Sequence, residues 1–168
     1  MKKTLLFSGF LFLVSLAVAQ ADTSKPYIKN PQLPGISLMG NDSVSFPLQQ
    51  KIAAGKPVLL MLFNPECGHC QKQFDLLAAD PDLASHLQVV LISVTTLKMN
   101  REFAEKNHIG KYPSVLMGQD YKGFCMNFFQ PRTIPTLVLY NASGQFTGIH
   151  YGNLEKKELE EFLRKANP

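Results

Sequence analysis

Two short, continuous apolar runs dominate the hydrophobic pattern of the chain. Residues 58–63 (VLLMLF) and 89–94 (VVLISV) are too short for most helices, and Pro57 and Pro65 bound the first run. Runs of this length predict strands that are buried on both faces of a sheet. Apolar residues at helical spacing follow each run, over about 70–78 and 98–108. The order strand, helix, strand, helix predicts parallel strands joined by right-handed crossovers.

The remaining pattern completes an α/β fold class. A short hairpin is expected at 36–46, a strand at 114–117 and a helix over 121–129, although Gly123 weakens that helix. Residues 136–140 and 145–151 flank a turn and predict an antiparallel hairpin, after which Asn153 is expected to cap a charged terminal helix. Together these elements predict a central mixed β-sheet with helices on both faces.

The first 21 residues have the three parts of a secretory signal peptide. Lys2 and Lys3 precede an apolar run at 5–18 and a small-residue stretch at 17–21. The apolar run is shorter than the roughly 20 residues that a membrane-spanning helix needs, so we expect cleavage, after Ala19 or Ala21, rather than stable membrane insertion. The expected segments are a signal peptide at 1–21, an extended polar lead-in at 22–33 and one domain at 34–168.

Charge gives little support for a nucleic-acid partner. The 168 residues carry 17 Lys and Arg against 13 Asp and Glu, a formal net charge of +4. Loss of Lys2 and Lys3 with the signal peptide lowers this charge to +2, and a hydrophobic content of 45% is ordinary for a globular domain. We therefore expect no nucleic-acid partner. We also expect an exported protein that is monomeric or associates weakly.

The sequence Cys67-Gly68-His69-Cys70 lies where the first buried run passes into the following helix. Unpaired N–H groups and the positive end of the helix dipole favour a thiolate there, and a cationic His69 would favour it further. Two intervening residues on a first helical turn bring both sulfurs within disulfide range. Cys67 is expected to be the exposed nucleophile that attacks a partner's disulfide, and Cys70 the inner thiol that resolves the mixed disulfide.

Three other roles for the two cysteines fit the sequence less well. A structural disulfide across so short a loop would constrain little of the unfolded chain. A zinc site would require a second pair of ligands at suitable spacing, and covalent haem attachment requires a histidine where this chain has Gln71. The sequence therefore favours a redox pair without a resident metal or cofactor. The third cysteine, Cys125, lies on an apolar stripe and is expected to be a buried, inert core residue.

A second signal is Thr133-Ile134-Pro135, which directly precedes the strand at 136–140. With the cysteine pair and the order of the strands, this segment resembles the thioredoxin superfamily over roughly residues 34–166. The long stretch at 102–132 and the signal peptide resemble the exported, cytochrome-maturation-type branch, which has an inserted helix and strand before the proline. The resemblance implies a periplasmic or otherwise exported thiol-disulfide oxidoreductase that acts on protein thiols and disulfides, exchanges electrons with another dithiol protein and needs no cofactor.

The resemblance also implies roles for individual residues. Pro135 would be cis and face the cysteines, and the backbone of Ile134 would pair with an extended substrate segment. Glu66, Gly68 and His69 would tune the redox pair.

Three departures from the family pattern leave the direction of electron flow open. Glu66 stands where the family has an aromatic residue, Met61 where thioredoxins have a buried acid, and Gln73 where the branch often has a glutamate. We expect a reductase. The dipeptide Gly68-His69 is typical of disulfide isomerases, so an oxidase or isomerase is the first alternative. A copper-binding, assembly-factor-like module that uses both cysteines and His150 is an alternative of a different class.

Overall fold

The computed structural model describes residues 24–80 and 86–166, so the predicted signal peptide lies outside the described residues. None of the helices within these ranges is long and apolar enough to cross a membrane. The strands are β1 (Ser37–Met39), β2 (Ser45–Pro47), β3 (Val58–Phe63), β4 (Gln88–Ser93), β5 (Val115–Gln119), β6 (Thr136–Tyr140) and β7 (Phe146–Tyr151). The helices are α1 (Pro26–Lys29), α2 (Gly68–Ala78), α3 (Leu97–Lys106), α4 (Phe124–Phe129) and α5 (Lys156–Arg164), with 3-10 turns at Leu48–Gln50 and Ile109–Lys111.

The strands form one mixed sheet in the order β2-β1-β5-β4-β3-β6-β7. The three central strands β5, β4 and β3 are parallel to one another, and the outer pairs are antiparallel. Every residue of β3 and β4 is buried, as the two apolar runs predicted, except that β4 ends at Ser93 and Val94, the last residue of the second run, is exposed. The expected α/β class with a central mixed sheet is therefore confirmed.

Two apolar cores lie on the opposite faces of this sheet. Leu59 and Met61 of β3 point to the first face and Leu60 and Leu62 to the second, because successive strand residues alternate. The first core contains the buried residues Phe74, Leu77, Phe103, Leu159 and Phe162 of α2, α3 and α5. The second contains Tyr27, Leu38, Cys125, Phe129 and Tyr140. Helices cover both faces, as expected.

Three expectations about secondary structure are wrong, one about the lead-in and two about where helices begin. The lead-in is not simply extended, because it includes α1, which starts at Pro26, a residue whose fixed φ suits a first helical turn. The N-cap residue of the terminal helix is Glu155, which forms a capping box with Glu158, whereas Asn153 lies two residues earlier and donates to the carbonyl of His69. Helix α4 begins only at Phe124, because Gly123 adopts a φ of 65° that ends any helix from residue 121.

Two chain segments meet at one end of the sheet. The parallel strands β3, β4 and β5 all end there, and the register Leu62↔Thr136 makes antiparallel β6 begin there. The loop that follows β3 carries Cys67, and the loop at 130–135 precedes β6. The topology therefore brings the two sequence motifs to the same edge.

Candidate active site

Cys67 is the N-cap residue of α2. Its backbone is extended, with φ −83° and ψ 112°, and its Sγ accepts a hydrogen bond from the N–H of Cys70 at 3.3 Å. The preceding loop is a turn organised by Asn64, whose carbonyl accepts from the N–H of Cys67 at 3.0 Å and whose side-chain Oδ1 accepts from Glu66 at 2.9 Å. The sulfur of Cys67 therefore replaces the usual oxygen cap and lies at the positive end of the helix.

The two thiols differ in exposure. Cys67 is half-buried, whereas Cys70 has no exposed surface and packs in the first core. Burial, and to a smaller extent the hydrogen bond with Cys67, raises the pKa of Cys70 to about 12. This is the expected arrangement of an outer and an inner thiol.

The three residues expected to tune the pair lie on the surface around it. Glu66, Gly68 and His69 are all exposed. A Cβ placed on Gly68 would meet no neighbouring side chain or loop within 4 Å, so the surface beside Cys67 is open to a partner. The carbonyl of His69 accepts a hydrogen bond from Asn153 Nδ2 at 2.7 Å.

The loop at 130–135 supplies a second surface at this end of the sheet. The Ile134–Pro135 peptide bond is cis, as the resemblance implies. Pro135 is buried and its carbonyl accepts from Gly152, while Thr136 Oγ1 donates to the carbonyl of the exposed Thr133. Ile134 is half-buried against the same core as Cys67, and none of the described residues hydrogen-bonds to its N–H or carbonyl. That backbone is therefore available to an incoming strand.

A loop after β7 holds the first turns of α2. Asn153 reaches the carbonyl of His69, and the N–H of Leu154 donates to the Oε1 of buried Gln73 at 2.8 Å. Gln73 Nε2 is buried and has no hydrogen-bond partner within the described ranges. The sequence singled out Gln73 only as a departure from the family and assigned Asn153 to the wrong helix, so their contact with the site was missed. The signal that could have found Gln73 is its position three residues after Cys70, on the same inner face of α2.

Cys125 lies apart from the cysteine pair. It is 1% exposed in the second core, on the other face of the sheet from Cys70, and this burial agrees with the sequence. Burial and, to a smaller extent, the nearby Asp120 carboxylate raise the pKa of its thiol. Asp120 itself is buried and accepts hydrogen bonds from the N–H groups of Phe124 and Cys125. Cys125 is thus placed to pack and not to exchange disulfides.

The histidines do not join the cysteines in a metal site. Within residues 24–80 and 86–166, no three His, Cys, Asp or Glu side chains are grouped so that they could hold a metal ion. His150 is half-buried, and its Nε2 lies 3.3 Å from the carbonyl of Asn153. The ligand set Cys67, Cys70 and His150 that the copper alternative requires is therefore not assembled.

Comparison with known proteins identifies the family. Residues 48–167 match the family model described as a thioredoxin-like domain, which covers most of the chain. The chain belongs to the thioredoxin-like family, and the fold and the adjacent cysteines support thiol-disulfide oxidoreductase activity. A comparison with curated protein sequences finds no match.

Solved structures share the fold at low sequence identity. A protein of Aquifex aeolicus VF5 proposed to transfer electrons has a TM-score of 0.65 and 19% identity, covering 81% of this chain and 92% of its own. A secreted disulfide oxidoreductase of Mycobacterium tuberculosis, homologous to E. coli DsbE, has a TM-score of 0.61 and 17% identity, covering 76% and 93%. The pneumococcal exposed lipoprotein thioredoxin Etrx1 has a TM-score of 0.60 and 20% identity, covering 79% and 99%. These likenesses establish the thioredoxin-like fold.

Proposed function

We propose that the protein is an exported thiol-disulfide oxidoreductase that reduces disulfides of other proteins through Cys67 and Cys70. The observation that carries this proposal is the pair itself: a partly exposed thiol at a helix N-terminus, one turn from a fully buried thiol. The exposed sulfur can meet a disulfide in another protein, and the buried sulfur can react only with the sulfur beside it.

The proposed reaction is a two-electron exchange. The Cys67 thiolate attacks one sulfur of the substrate disulfide, forms a mixed disulfide and releases the other substrate sulfur as a thiolate that takes up a proton. Cys70 loses its proton and attacks the Cys67 sulfur, which forms the Cys67–Cys70 disulfide and releases the second substrate thiol. The substrate is reduced and the pair oxidised, and a second dithiol protein then reduces the pair again.

The reductase direction is proposed from the cytochrome-maturation-type branch that the chain resembles, whose members are typically disulfide reductases. The raised pKa of the buried Cys70 does not decide the direction, because the thiolate that would stabilise a reduced pair belongs to the attacking cysteine, Cys67. The Gly68-His69 dipeptide favours the alternative, an oxidase or isomerase, because a cationic His69 beside the pair would stabilise a thiolate.

The loop at 130–135 is proposed to receive the substrate backbone. An extended segment that lies over Cys67 would pair with the N–H and carbonyl of Ile134, as one strand adds to another. Pro135 would set the direction of that backbone, and Thr133 would line its path. Glu66 and His69, which are exposed on either side of the nucleophile, would tune the pair through their polar side chains.

Export is supported by the signal-peptide features at 1–21. Two proteins that share the fold are described as secreted or as an exposed lipoprotein. We propose that this chain acts outside the cytoplasm as a monomer, as members of the cytochrome-maturation-type branch do. Disulfides form in that compartment, so a reductase has substrates there.

The experiment is reduction of insulin disulfides, together with the reduction potential of the pair in glutathione buffers. We expect catalysis that is abolished in Cys67→Ser and Cys70→Ser but kept in Cys125→Ala, and a potential near that of thioredoxin, about −270 mV. A potential near about −180 mV, the value typical of protein disulfide isomerase, would instead assign an oxidase or isomerase. Insulin reduction no faster than with the chemical reductant alone would contradict the proposal.

A further inference from the structure

The lead-in contacts the loop at 130–135 at its first residue. Lys25 Nζ donates a hydrogen bond to Gln130 Oε1 at 2.8 Å. Gln130 is the C-cap residue of α4, where its N–H donates to the carbonyl of Met126 at 3.1 Å, and its backbone is left-handed, with φ 49°. This conformation is unfavourable for a residue other than glycine, so each contact that holds Gln130 supports it. The Lys25 hydrogen bond therefore adds to the helix hydrogen bond at the point where the chain turns from α4 into the loop.

The lead-in also contacts the strand that supports the other end of the loop. The hydroxyls of Tyr27 and Tyr151 lie 3.3 Å apart in a hydrogen bond. Tyr151 pairs with Thr136, the first residue after the loop, and the guanidinium of Arg132 lies 5.6 Å from the centre of the Tyr151 ring. Tyr27 thus contacts one residue, Tyr151, whose backbone pairs at the end of the loop and whose ring lies beside Arg132 in the middle of it.

The lead-in is itself fixed to the rest of the domain. The Tyr27 ring packs against Phe129 of α4 and Phe146 of β7, with ring centres 6.3 and 5.1 Å apart. The N–H of Phe146 donates to the carbonyl of Pro31 at 2.7 Å, and the N–H of Leu33 donates to that of Gly144 at 2.8 Å. A segment anchored in this way can restrain the loop residues that it contacts.

We infer that the lead-in is a brace for the substrate-binding loop, with Lys25 and Tyr27 as positioning residues. Lys25 fixes the entry of the loop and Tyr27, through Tyr151, fixes its exit. The backbone of Ile134 lies between these two points, so the brace prepares it for pairing with an extended protein substrate. This inference rests on the proposed function, and it concerns capture of protein substrates rather than the chemistry at the cysteines.

The test uses the purified protein and compares two disulfide substrates. Lys25→Ala combined with Tyr27→Phe removes the two polar contacts but keeps the aromatic ring in its packing. We expect KM for insulin to rise roughly three- to tenfold, as loss of two hydrogen bonds allows, with kcat and the reaction of Cys67 with glutathione disulfide changed less than about twofold. Tyr151→Phe removes the same hydroxyl contact from the other side. Its effect on KM for insulin should equal that of the single variant Tyr27→Phe.

Lys29→Ala is the matched control. Lys29 is exposed on the same helix as Tyr27, and its side chain has no hydrogen bond or ion pair within the described part of the chain. We expect no change in either reaction. Unchanged kinetics in the double variant, or equal loss with insulin and glutathione disulfide, would overturn the brace while leaving the proposed function intact. An unsubstituted protein that reacts with neither disulfide would overturn the proposed function as well.

Discussion

Within one turn of helix, two thiols differ sharply in their exposure to solvent. Cys67 caps α2 and retains access to solvent, whereas Cys70 points into the first core. A buried thiol pays a desolvation cost on ionising, and this cost is the main cause of the raised pKa of Cys70. The same helix therefore presents one thiol that solvent can reach and one that the core shields.

This difference predicts unequal alkylation of the reduced protein. Iodoacetamide at pH 7 should modify Cys67 at least about tenfold faster than Cys70, because a thiol with a pKa of about 12 is almost entirely protonated and Cys70 is also buried. The rate at Cys70 should rise about tenfold for each pH unit while the fold persists. Peptide mapping by mass spectrometry gives both rates, and equal rates at pH 7 would mean that the two roles are misassigned.

The positions of the candidate site residues could be predicted from the sequence because their spacing is local. Four consecutive residues define the cysteine turn, and the Ile134–Pro135 dipeptide precedes an obvious strand. The contacts of Asn153 and Gln73 could not be predicted, because they join positions more than 80 residues apart. An asparagine before a charged helix is typical of a cap, and only the tertiary structure shows that it reaches His69 instead.

At the scale of elements, the inserted helix α4 depends on a buried carboxylate. Both oxygens of Asp120 accept hydrogen bonds from the helix, one from the N–H of Phe124 at 2.9 Å and one from Cys125 at 2.7 Å. α4 has six residues and would not be stable alone. Asp120 therefore determines where the helix starts and how Cys125 enters the second core.

Substitution of Asp120 measures this dependence. Asp120→Ala leaves one buried and one partly buried N–H group without an acceptor and should lower the free energy of unfolding by about 2–3 kcal/mol. Asp120→Asn keeps one acceptor and should cost about half as much. Urea unfolding gives the values, with exposed Glu160→Ala as the control that should change stability by less than about 0.5 kcal/mol. A loss in Asp120→Ala no larger than in this control would show that α4 does not depend on the carboxylate.

The elements were predictable to different degrees. The apolar runs of β3 and β4 identified the centre of the sheet because strands buried on both faces have no polar alternation to obscure them. α1 was missed because its four residues are too few to show a periodicity. The start of α5 was misplaced because Asn153 and Glu155 both suit a helix N-terminus, and only the backbone decides between them.

For the whole molecule, the two buried thiols make the free energy of unfolding fall as the pH becomes alkaline. Burial raises the pKa of Cys70 and of Cys125 in the folded state, while an ordinary thiol ionises near 9.0. Above that pH the unfolded chain releases protons that the folded chain retains, so the free energy of unfolding falls as pH rises. Below it, both states keep these protons and the contribution is constant.

The reduced protein should therefore lose about 1.4 kcal/mol of stability for each of these thiols between pH 8 and pH 10. Cys125→Ala should reduce this pH-dependent loss by about half, although it lowers stability at every pH by truncating the core. Urea unfolding at the two pH values measures both quantities. An equal loss in the variant and the unsubstituted protein would contradict a raised pKa at Cys125.

In the proposed exchange, Cys67 attacks the substrate and Cys70 completes the reaction. Mass spectrometry of Cys70→Ala, after the reduced protein is mixed with a disulfide-bonded peptide, tests both steps. Without the resolving thiol, we expect a stable adduct linked through Cys67, released by dithiothreitol, absent from Cys67→Ala and transient in the unsubstituted protein. An adduct linked through Cys125, an adduct that persists in Cys67→Ala, or no adduct in Cys70→Ala would contradict it.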